Sequence, residues 1–388
     1  MAPFVVFFIA CFIATLAASR AFGSPARAVV YNLAFIFLAL ALFEAWLEIE
    51  ARIEARRAAL VPTVQAAIPA AAPQTTREGS YLDRFLADDP ELGYRILPAQ
   101  RNLRSILKRA DGTLIYDVEY SLDRNGMRQA KPAGPGTVYF FGDSFTFGEG
   151  VDDEQTLPAV FSEISGLYCL NFAAPGYGPH QTLRQLELNV PQAVGAPRPS
   201  IAIYTLLTGH IDRAAGRSPW DTHGPHYEPA GDDAEYVGPY VPKAAAAQSL
   251  SPPAPSLAVR LVQRALASWR TYQLVVARLH ERSIAAERDA DRARLAAILM
   301  KSRKLLRERY NTELVIVLWD TIPSNGEADA AWIAAKLEEE RFPLLRISEA
   351  LPELRAESYY LAGDGHPRGA AYELVAKALL PMVQSLAH

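Results

Sequence analysis

The stretch Thr137-Val-Tyr-Phe-Phe-Gly-Asp-Ser-Phe-Thr-Phe-Gly-Glu-Gly-Val151 decides the fold, because a short apolar run ends abruptly at a serine flanked by glycines. Four further apolar runs are separated from it and from each other by segments with helical spacing, at 168–172, 201–207, 313–319 and 344–347. This alternation predicts a parallel sheet with helices on both faces. In such sheets the ligand crevice lies outside the carboxyl ends of the strands, so catalytic or binding residues are expected directly after each run.

The overall composition narrows the range of partners. The chain has 388 residues, 50% of them apolar, and a formal net charge of −4. It has no basic stripe suited to a phosphate backbone, so we expect no nucleic-acid partner. The length fits one main domain with extra elements. The two cysteines, Cys11 and Cys169, are poorly placed to form a disulfide with each other. They neither require nor exclude an oxidising compartment.

Residues 1–60 have the composition of a membrane anchor. Two uncharged apolar runs, 2–19 and 28–43, are followed by a stretch with helical spacing at 44–60. We predict a transmembrane helical hairpin with a stalk, although each run is short for the roughly 20 residues that a span requires. The first run is alternatively a cleaved signal sequence, but it lacks a positive region before the apolar stretch. Arginines both between and after the runs leave the orientation open.

Composition divides the rest of the chain into three parts. Residues 61–80 form an Ala/Pro-rich linker, 81–136 a small β-containing preface, and 137–388 the main α/β domain. An insertion at 214–255, rich in proline, glycine and aromatic residues, interrupts this domain and would overhang the crevice. Within it we expect a hairpin at 227–240. Helical spacing predicts helices within 256–310 and at 369–386.

Two short motifs carry candidate chemistry. Ser144 stands on a glycine-flanked turn at a strand end, where a neighbouring base can activate its hydroxyl. Gly363-Asp-Gly-His-Pro367 comes just before the last predicted helix. In a triad, His366 would take the proton from Ser144, and Asp364 would orient the imidazole. Considered alone, the second motif fits a polar helix cap equally well.

These two motifs resemble blocks I and V of the SGNH/GDSL hydrolases. The resemblance covers about 138–380 of this chain. The resemblance implies a three-layer α/β/α sandwich with a five-stranded parallel sheet, the flavodoxin-like SGNH fold. It also implies a catalytic triad of Ser144, Asp364 and His366. Asn171-Phe-Ala-Ala-Pro-Gly-Tyr-Gly178 resembles block II, in which Gly176 and Ser144 would donate backbone N–H groups to the oxyanion. A Pro-Gly turn is also an ordinary way to leave a strand.

The third block departs from the family pattern. Thr208-Gly-His-Ile-Asp-Arg213 stands where the family commonly has a Gly-x-Asn-Asp block, whose asparagine is the third oxyanion donor. His210 is our candidate for that donor, because a neutral imidazole donates from one nitrogen. The alternative is a structural role in which His210 packs under Asp212 and Arg213.

One other cluster is a candidate metal site. Asp221, His223 and His226 lie close together in the sequence, followed by Asp232 and Asp233. The proline and glycine between them, and the lack of a regular element, favour a polar surface loop. We therefore expect neither a metal ion nor any other cofactor.

Three functions are compatible with these motifs. The first is hydrolysis of a small-molecule, carbohydrate or lipid ester through an acyl-enzyme on Ser144. The second is O-acyl transfer to an envelope carbohydrate or lipid with the same triad, which a water-excluding lid would favour. The third is a non-catalytic envelope binding protein, supported only by the altered third block. Anchored enzymes that resemble this chain usually act outside the cytoplasm, so we expect the catalytic domain on the periplasmic side.

Overall fold

The computed structural model describes residues 3–60, 75–80, 85–128, 134, 136–231, 233–240, 270–322 and 326–386. The chain divides into two compact units, one formed by 1–70 with 250–288 and the other by 71–249 with 289–388. In this division, 250–288 belongs with the N-terminal helices, and the preface belongs with the main sheet. Most of the predicted linker, and 241–269 of the insertion and helical segment, lie outside the described residues.

The first unit contains two apolar helices, α1 (Pro3–Ala18) and α2 (Ser24–Leu60), joined by a short 3₁₀ turn at Ser19–Ala21. The windows Phe4–Ala21 and Ala26–Glu50 each have a mean hydropathy of 2.1, so both helices are candidate membrane spans by length and composition. A signal sequence or a buried core helix has the same properties. The 16 residues of α1 extend about 24 Å, which is short for a full span. Within this unit, Glu44 on α2 accepts a hydrogen bond from the backbone N–H of Thr271 at 2.7 Å.

The described residues of the preface contain four short strands, and a fifth strand pairs with one of them from the segment before the preface. β1 (Thr75–Glu78), β4 (Leu103–Arg109) and β5 (Leu114–Tyr120) form one sheet in the order β1-β4-β5, and β2 (Leu86–Asp89) pairs with β3 (Gly93–Ile96). Strand β1 lies inside the predicted linker, so that prediction was wrong for these four residues. Their order comes from pairing with β4, where Thr75 faces Arg109, and not from an apolar period of their own.

The main sheet has five parallel strands in the order β12-β11-β8-β6-β7. They are β6 (Thr137–Phe141), β7 (Tyr168–Asn171), β8 (Ile201–Leu207), β11 (Glu313–Trp319) and β12 (Leu344–Arg346). All five predicted strands are confirmed, with β7 and β12 each one residue shorter. Every residue of β6 and β8 is buried, as expected for central parallel strands that are covered on both faces.

Side chains of β6 alternate between two hydrophobic cores. Val138 and Phe140 face the core formed with α4 (Leu157–Ser165) and α11 (Gly369–Leu386). Tyr139 and Phe141 face the core formed with α5 (Pro179–Glu187), α8 (Arg270–Tyr310) and α9 (Glu327–Glu339). The predicted three-layer α/β/α arrangement is therefore confirmed. Four short helices are also described: α3 (Ser144–Phe147), α6 (Val190–Ala193), α7 (His210–Ala214) and α10 (Ile347–Ala350), which follows β12.

The insertion contains the predicted hairpin. Strands β9 (Pro225–Ala230) and β10 (Asp233–Pro239) pair antiparallel, with Tyr227 opposite Tyr236. The closing helix predicted at 369–386 is confirmed as α11, and the described part of the predicted helical segment is confirmed as α8. Because β6, β7 and β8 are parallel, their carboxyl ends lie at the same edge of the sheet. The candidate site residues follow these strand ends.

Candidate active site

Ser144 is presented by the tight turn that connects β6 to α3. Gly142 has φ +144°, and a Cβ there would lie 2.4 Å from Thr146 Oγ1, so the chain turns this closely only with glycine. Asp143 caps α3, and its carboxylate accepts a hydrogen bond from the Phe145 N–H at 3.0 Å. The turn places Ser144 at the first position of α3, at the edge of a cleft.

The structure brings Ser144, His366 and Asp364 together, although the serine and the histidine are 222 residues apart in the chain. His366 Nε2 lies 2.7 Å from Ser144 Oγ, and His366 Nδ1 lies 2.5 Å from Asp364 Oδ2. The backbone of Leu361 holds the loop that carries these residues, since its N–H donates to His366 O at 2.8 Å and its carbonyl accepts from Asp364 N at 3.0 Å. The Asp364 carboxylate bonds the imidazole and does not act as a helix cap, because helix α11 begins only at Gly369.

The charges around His366 favour its protonated form. Burial alone would lower the pKa of His366, but the hydrogen bond to Asp364 and the nearby carboxylates of Glu149, Asp364 and Asp143 raise that pKa above its usual value. Burial would likewise raise the pKa of Asp364, and the contact with His366 instead lowers it. An imidazole of this kind accepts a proton readily while Asp364 stays ionised.

Glu149 is a third carboxylate at this site that we did not single out from the sequence. It is buried, and its Oε2 lies 3.8 Å from His366 Nε2. Arg77 on β1 pairs with the other oxygen of Glu149. Glu149 belongs to the motif that contains Ser144, so its position was a signal for its role. Arg77 had no such signal, because it lies in the segment predicted to be a linker.

His210 does not face the cleft, and the prediction that it donates to the oxyanion was wrong. It is fully buried, with Nε2 3.2 Å from Asp143 Oδ2 and Nδ1 3.0 Å from the Tyr204 hydroxyl. Burial lowers its pKa to about 4, against the opposing effect of Asp143. A neutral imidazole that donates from Nε2 and accepts at Nδ1 satisfies both contacts. His210 thus supports Asp143, the residue before Ser144.

Arg213 connects the turn before Ser144 to the turn after β7. Its Nη1 donates to Asp143 Oδ2 at 2.7 Å and to the carbonyl of Tyr177 at 2.7 Å. Burial by itself would raise the pKa of Asp143, but Arg213 and His210 together hold that pKa well below its usual range. Asp143 is thus an ionised, fully buried residue that links the turn before Ser144 to the turn after β7.

Gly176 lies in a β-turn formed by Ala174-Pro-Gly-Tyr177. The Tyr177 N–H donates to Ala174 O at 3.1 Å, and Gly176 has φ +81°, which together define a type II turn with proline and glycine at its central positions. Gly176 and Ser144 line the same cleft, whose volume is about 840 Å³. Within the described part of the chain, neither the Ser144 N–H nor the Gly176 N–H donates to a protein acceptor.

Two aromatic side chains hold this turn from opposite elements. The Tyr94 hydroxyl, on β3 of the preface, donates to Pro175 O at 2.9 Å. Trp220 Nε1, from the insertion, donates to Gly176 O at 3.1 Å. The Tyr177 hydroxyl donates back to Tyr94 O at 2.7 Å, so the turn and β3 hold each other. We missed Tyr94 from the sequence, where it is one aromatic residue of an alternating strand.

The described residues of the candidate metal site bond to other side chains. Asp221 is buried, accepts from Gln181 Nε2 at 2.6 Å and lies 2.8 Å from His180 Nε2. His226 pairs with Glu228 at 2.7 Å, and His223 lies beside Thr222 at the cleft. Asp232 lies outside the described residues. Across the ranges that the structure describes, no three His, Cys, Asp or Glu side chains are grouped so that they could hold a metal ion.

A scan against protein-family models and a search of curated proteins found no match to this chain. Several solved structures are similar to it. One is TesA, with a TM-score of 0.37 and 14% identity over 64% of this chain and 99% of that chain. A second is described as lipolytic and of the G-D-S-L family, from Desulfitobacterium hafniense, with a TM-score of 0.34 and 12% identity over 64% of this chain and 99% of that one.

A third similar structure is the salicylyl-acyltransferase SsfX3 from a tetracycline biosynthetic pathway, with a TM-score of 0.34 and 13% identity over 68% of this chain and 58% of that chain. At scores this low the similarity carries no weight for activity, which has to be inferred from the chain's own residues. The five-stranded α/β/α unit is the fold that the SGNH/GDSL resemblance implied.

Proposed function

We propose that this chain is an SGNH/GDSL-type serine esterase that hydrolyses a carboxylic ester through an acyl-enzyme on Ser144. The observation that carries the proposal is the continuous hydrogen-bonded chain from Ser144 Oγ through His366 to Asp364, which opens onto a cleft. A serine hydroxyl is a weak nucleophile unless a base removes its proton, and the 2.7 Å contact supplies that base.

Each step follows from the positions of these groups. Ser144 Oγ attacks the ester carbonyl carbon while its proton passes to His366 Nε2, and Asp364 stabilises the imidazolium that forms. The backbone N–H groups of Ser144 and Gly176 stabilise the negative charge on the carbonyl oxygen. The tetrahedral intermediate collapses, and the departing alkoxide takes the proton from His366. Water then repeats the sequence at the acyl carbon, which releases the acid and restores Ser144.

The oxyanion hole proposed here has two backbone donors. Removal of one such donor from an enzyme costs about 10²–10³ in rate, so an enzyme that lacks the usual asparagine is slower but still active. Arg213 lines the same cleft, but its Nη1 is already committed to Asp143 and the Tyr177 carbonyl. We therefore assign it to holding the two loops together.

The polarity of the residues that line the cleft indicates the class of substrate. Six of these residues are Asp, Glu, Arg or His, which suits a polar small-molecule or carbohydrate ester, or the headgroup region of a lipid. They are Arg77, Asp88, Glu149, Arg213, Asp221 and His223. The proposal also includes anchoring by α1 and α2 in a membrane, with the catalytic unit on the periplasmic side. The apolar windows of the two helices support the anchoring.

Acyl transfer is a second candidate function, favoured by one observation. Trp220, Asp221, Thr222 and His223 belong to the insertion, and all four line the cleft beside Ser144. A carbohydrate or lipid hydroxyl held by this segment would replace water in the second half of the reaction. Product analysis with and without a carbohydrate acceptor distinguishes the two functions, because only transfer yields an acylated acceptor.

The proposal is tested with the full chain in detergent, using a fluorophosphonate probe and a panel of p-nitrophenyl esters. We expect the probe to label Ser144, and ester turnover to be lost in Ser144→Ala. Ser385→Ala, on the exposed end of α11, is a matched control that should keep both properties. A folded wild-type protein that is neither labelled nor active would instead favour the non-catalytic binding protein.

A further inference from the structure

The Gly176 N–H belongs to the central peptide of a type II turn, and such a peptide has two possible orientations. Type I and type II turns differ mainly by a rotation of this peptide of about 180°, which reverses the direction of its N–H. Glycine at position 176 adopts φ +81° without strain, but it also makes that rotation easy. Something else in the molecule must therefore select the orientation.

The Tyr94 hydroxyl is the group that makes this selection possible. It donates to Pro175 O at 2.9 Å, and that oxygen belongs to the same planar peptide as the Gly176 N–H. All described peptide bonds are trans, so the carbonyl and the N–H of one peptide point in opposite directions. Holding Pro175 O on the Tyr94 side therefore directs the Gly176 N–H away from Tyr94. Rotation to a type I turn would break this hydrogen bond.

Tyr94 is itself rigidly placed. Its side chain is 8% exposed, and its ring packs against that of Tyr177 with centroids 5.2 Å apart. Its own carbonyl accepts from the Tyr177 hydroxyl at 2.7 Å. Burial, with nearby Tyr177 and Asp221, raises its pKa well above the usual value, so the hydroxyl keeps its proton and remains a donor. Trp220 holds the following peptide through Gly176 O, so both peptides that flank the Gly176 Cα are fixed.

We propose that Tyr94 is a positioning residue of the oxyanion hole: its hydroxyl fixes the Pro175–Gly176 peptide in the orientation that presents the Gly176 N–H to the reacting carbonyl oxygen. This inference rests on the proposed function. It also assigns a role to the preface, whose β3 strand supplies a part of the active site that the α/β/α unit lacks on its own. Tyr94 also lines the cleft, but its hydroxyl donates to Pro175 O, so the role proposed here is exerted through the Gly176 peptide.

The test compares Tyr94→Phe with Tyr139→Phe in the full chain in detergent. Tyr139 is a matched control, because its buried hydroxyl also donates to a proline carbonyl, Pro197 O at 2.6 Å, within the core. We measure kcat and KM for p-nitrophenyl acetate, count active sites by fluorophosphonate titration, and record the unfolding midpoint. Tyr94→Phe should lower kcat per titrated site by about tenfold with little change in KM, the equivalent of one lost hydrogen bond.

Tyr139→Phe should lower the unfolding midpoint similarly and leave kcat per site unchanged. A Tyr94→Phe protein with the kcat of Tyr139→Phe, or one that does not fold, would make Tyr94 a structural residue and overturn the inference. If wild type is active and Tyr94→Phe retains full kcat, only this inference fails. If wild type is neither labelled nor active, the proposed function fails and this inference fails with it.

Discussion

Gly176→Ala is the substitution that most directly tests the geometry of the oxyanion hole. Gly176 has φ +81°, a region that costs a residue with a side chain roughly 1–2 kcal/mol. A Cβ at this position would lie 2.6 Å from Trp220 Nε1 and 2.6 Å from the Tyr94 hydroxyl oxygen, far inside van der Waals contact. Rotation of the Pro175–Gly176 peptide towards a type I turn relieves the backbone strain, and that rotation turns the N–H away from the reacting oxygen.

The expected loss is therefore that of one oxyanion donor, about 10²–10³ in kcat, with a stability cost of roughly 1–2 kcal/mol. The assay is kcat for p-nitrophenyl acetate per phosphonate-titrated site, together with urea unfolding. Gly195→Ala is the matched control, since Gly195 has φ +70° and nothing within 4 Å of its Cβ position. It should lose similar stability and keep its kcat. A Gly176→Ala enzyme with kcat close to wild type would show that this N–H does not stabilise the oxyanion.

Two further predictions concern the groups around His366. Asp364→Asn should lower kcat by about 10³–10⁴, because the carboxylate lies 2.5 Å from His366 Nδ1 and an amide in its place no longer stabilises the imidazolium or selects its tautomer. Steady-state kinetics on a folded variant checks this prediction. A loss of kcat below tenfold would contradict it. Glu149→Gln should move the acid limb of the kcat/KM profile to lower pH. The Glu149 carboxylate raises the pKa of His366, so its removal lowers that pKa. Because the neutral imidazole is the active form, activity then persists to lower pH. An acid limb that stays in place or moves to higher pH would rule out this role for Glu149.

Much of the fold and the core of the site could be predicted from the sequence because the signals are local. The apolar runs of the five strands, and the glycines around Ser144, reflect preferences that act over a few residues. Asp364 and His366 were recognisable for the same reason, since their motif is only a few residues long. The insertion hairpin was also predicted, from turn residues between two aromatic strands.

The residues that complete the site were not predictable in this way. Arg77 meets Glu149 across 72 residues, and Tyr94 meets Pro175 across 81. Strand β1 carries no apolar period and is ordered by pairing with β4, so its sequence alone predicts a linker. His210 has the same sequence neighbours whether it faces the cleft or the core, and its hydrogen bonds to Asp143 and Tyr204 decide between these positions.

The sequence by itself therefore determined the class of fold, the order of its strands along the chain, and the three residues of the candidate triad, which the fold brings together. Only the tertiary structure decided which side chains surround them: a preface tyrosine on the oxyanion turn, an arginine from the first strand beside Glu149, and a histidine turned inward. The physical reason is that strand and turn preferences act between neighbours in the chain. Hydrogen bonds between buried polar groups form wherever packing brings the groups together, and no local pattern encodes that meeting.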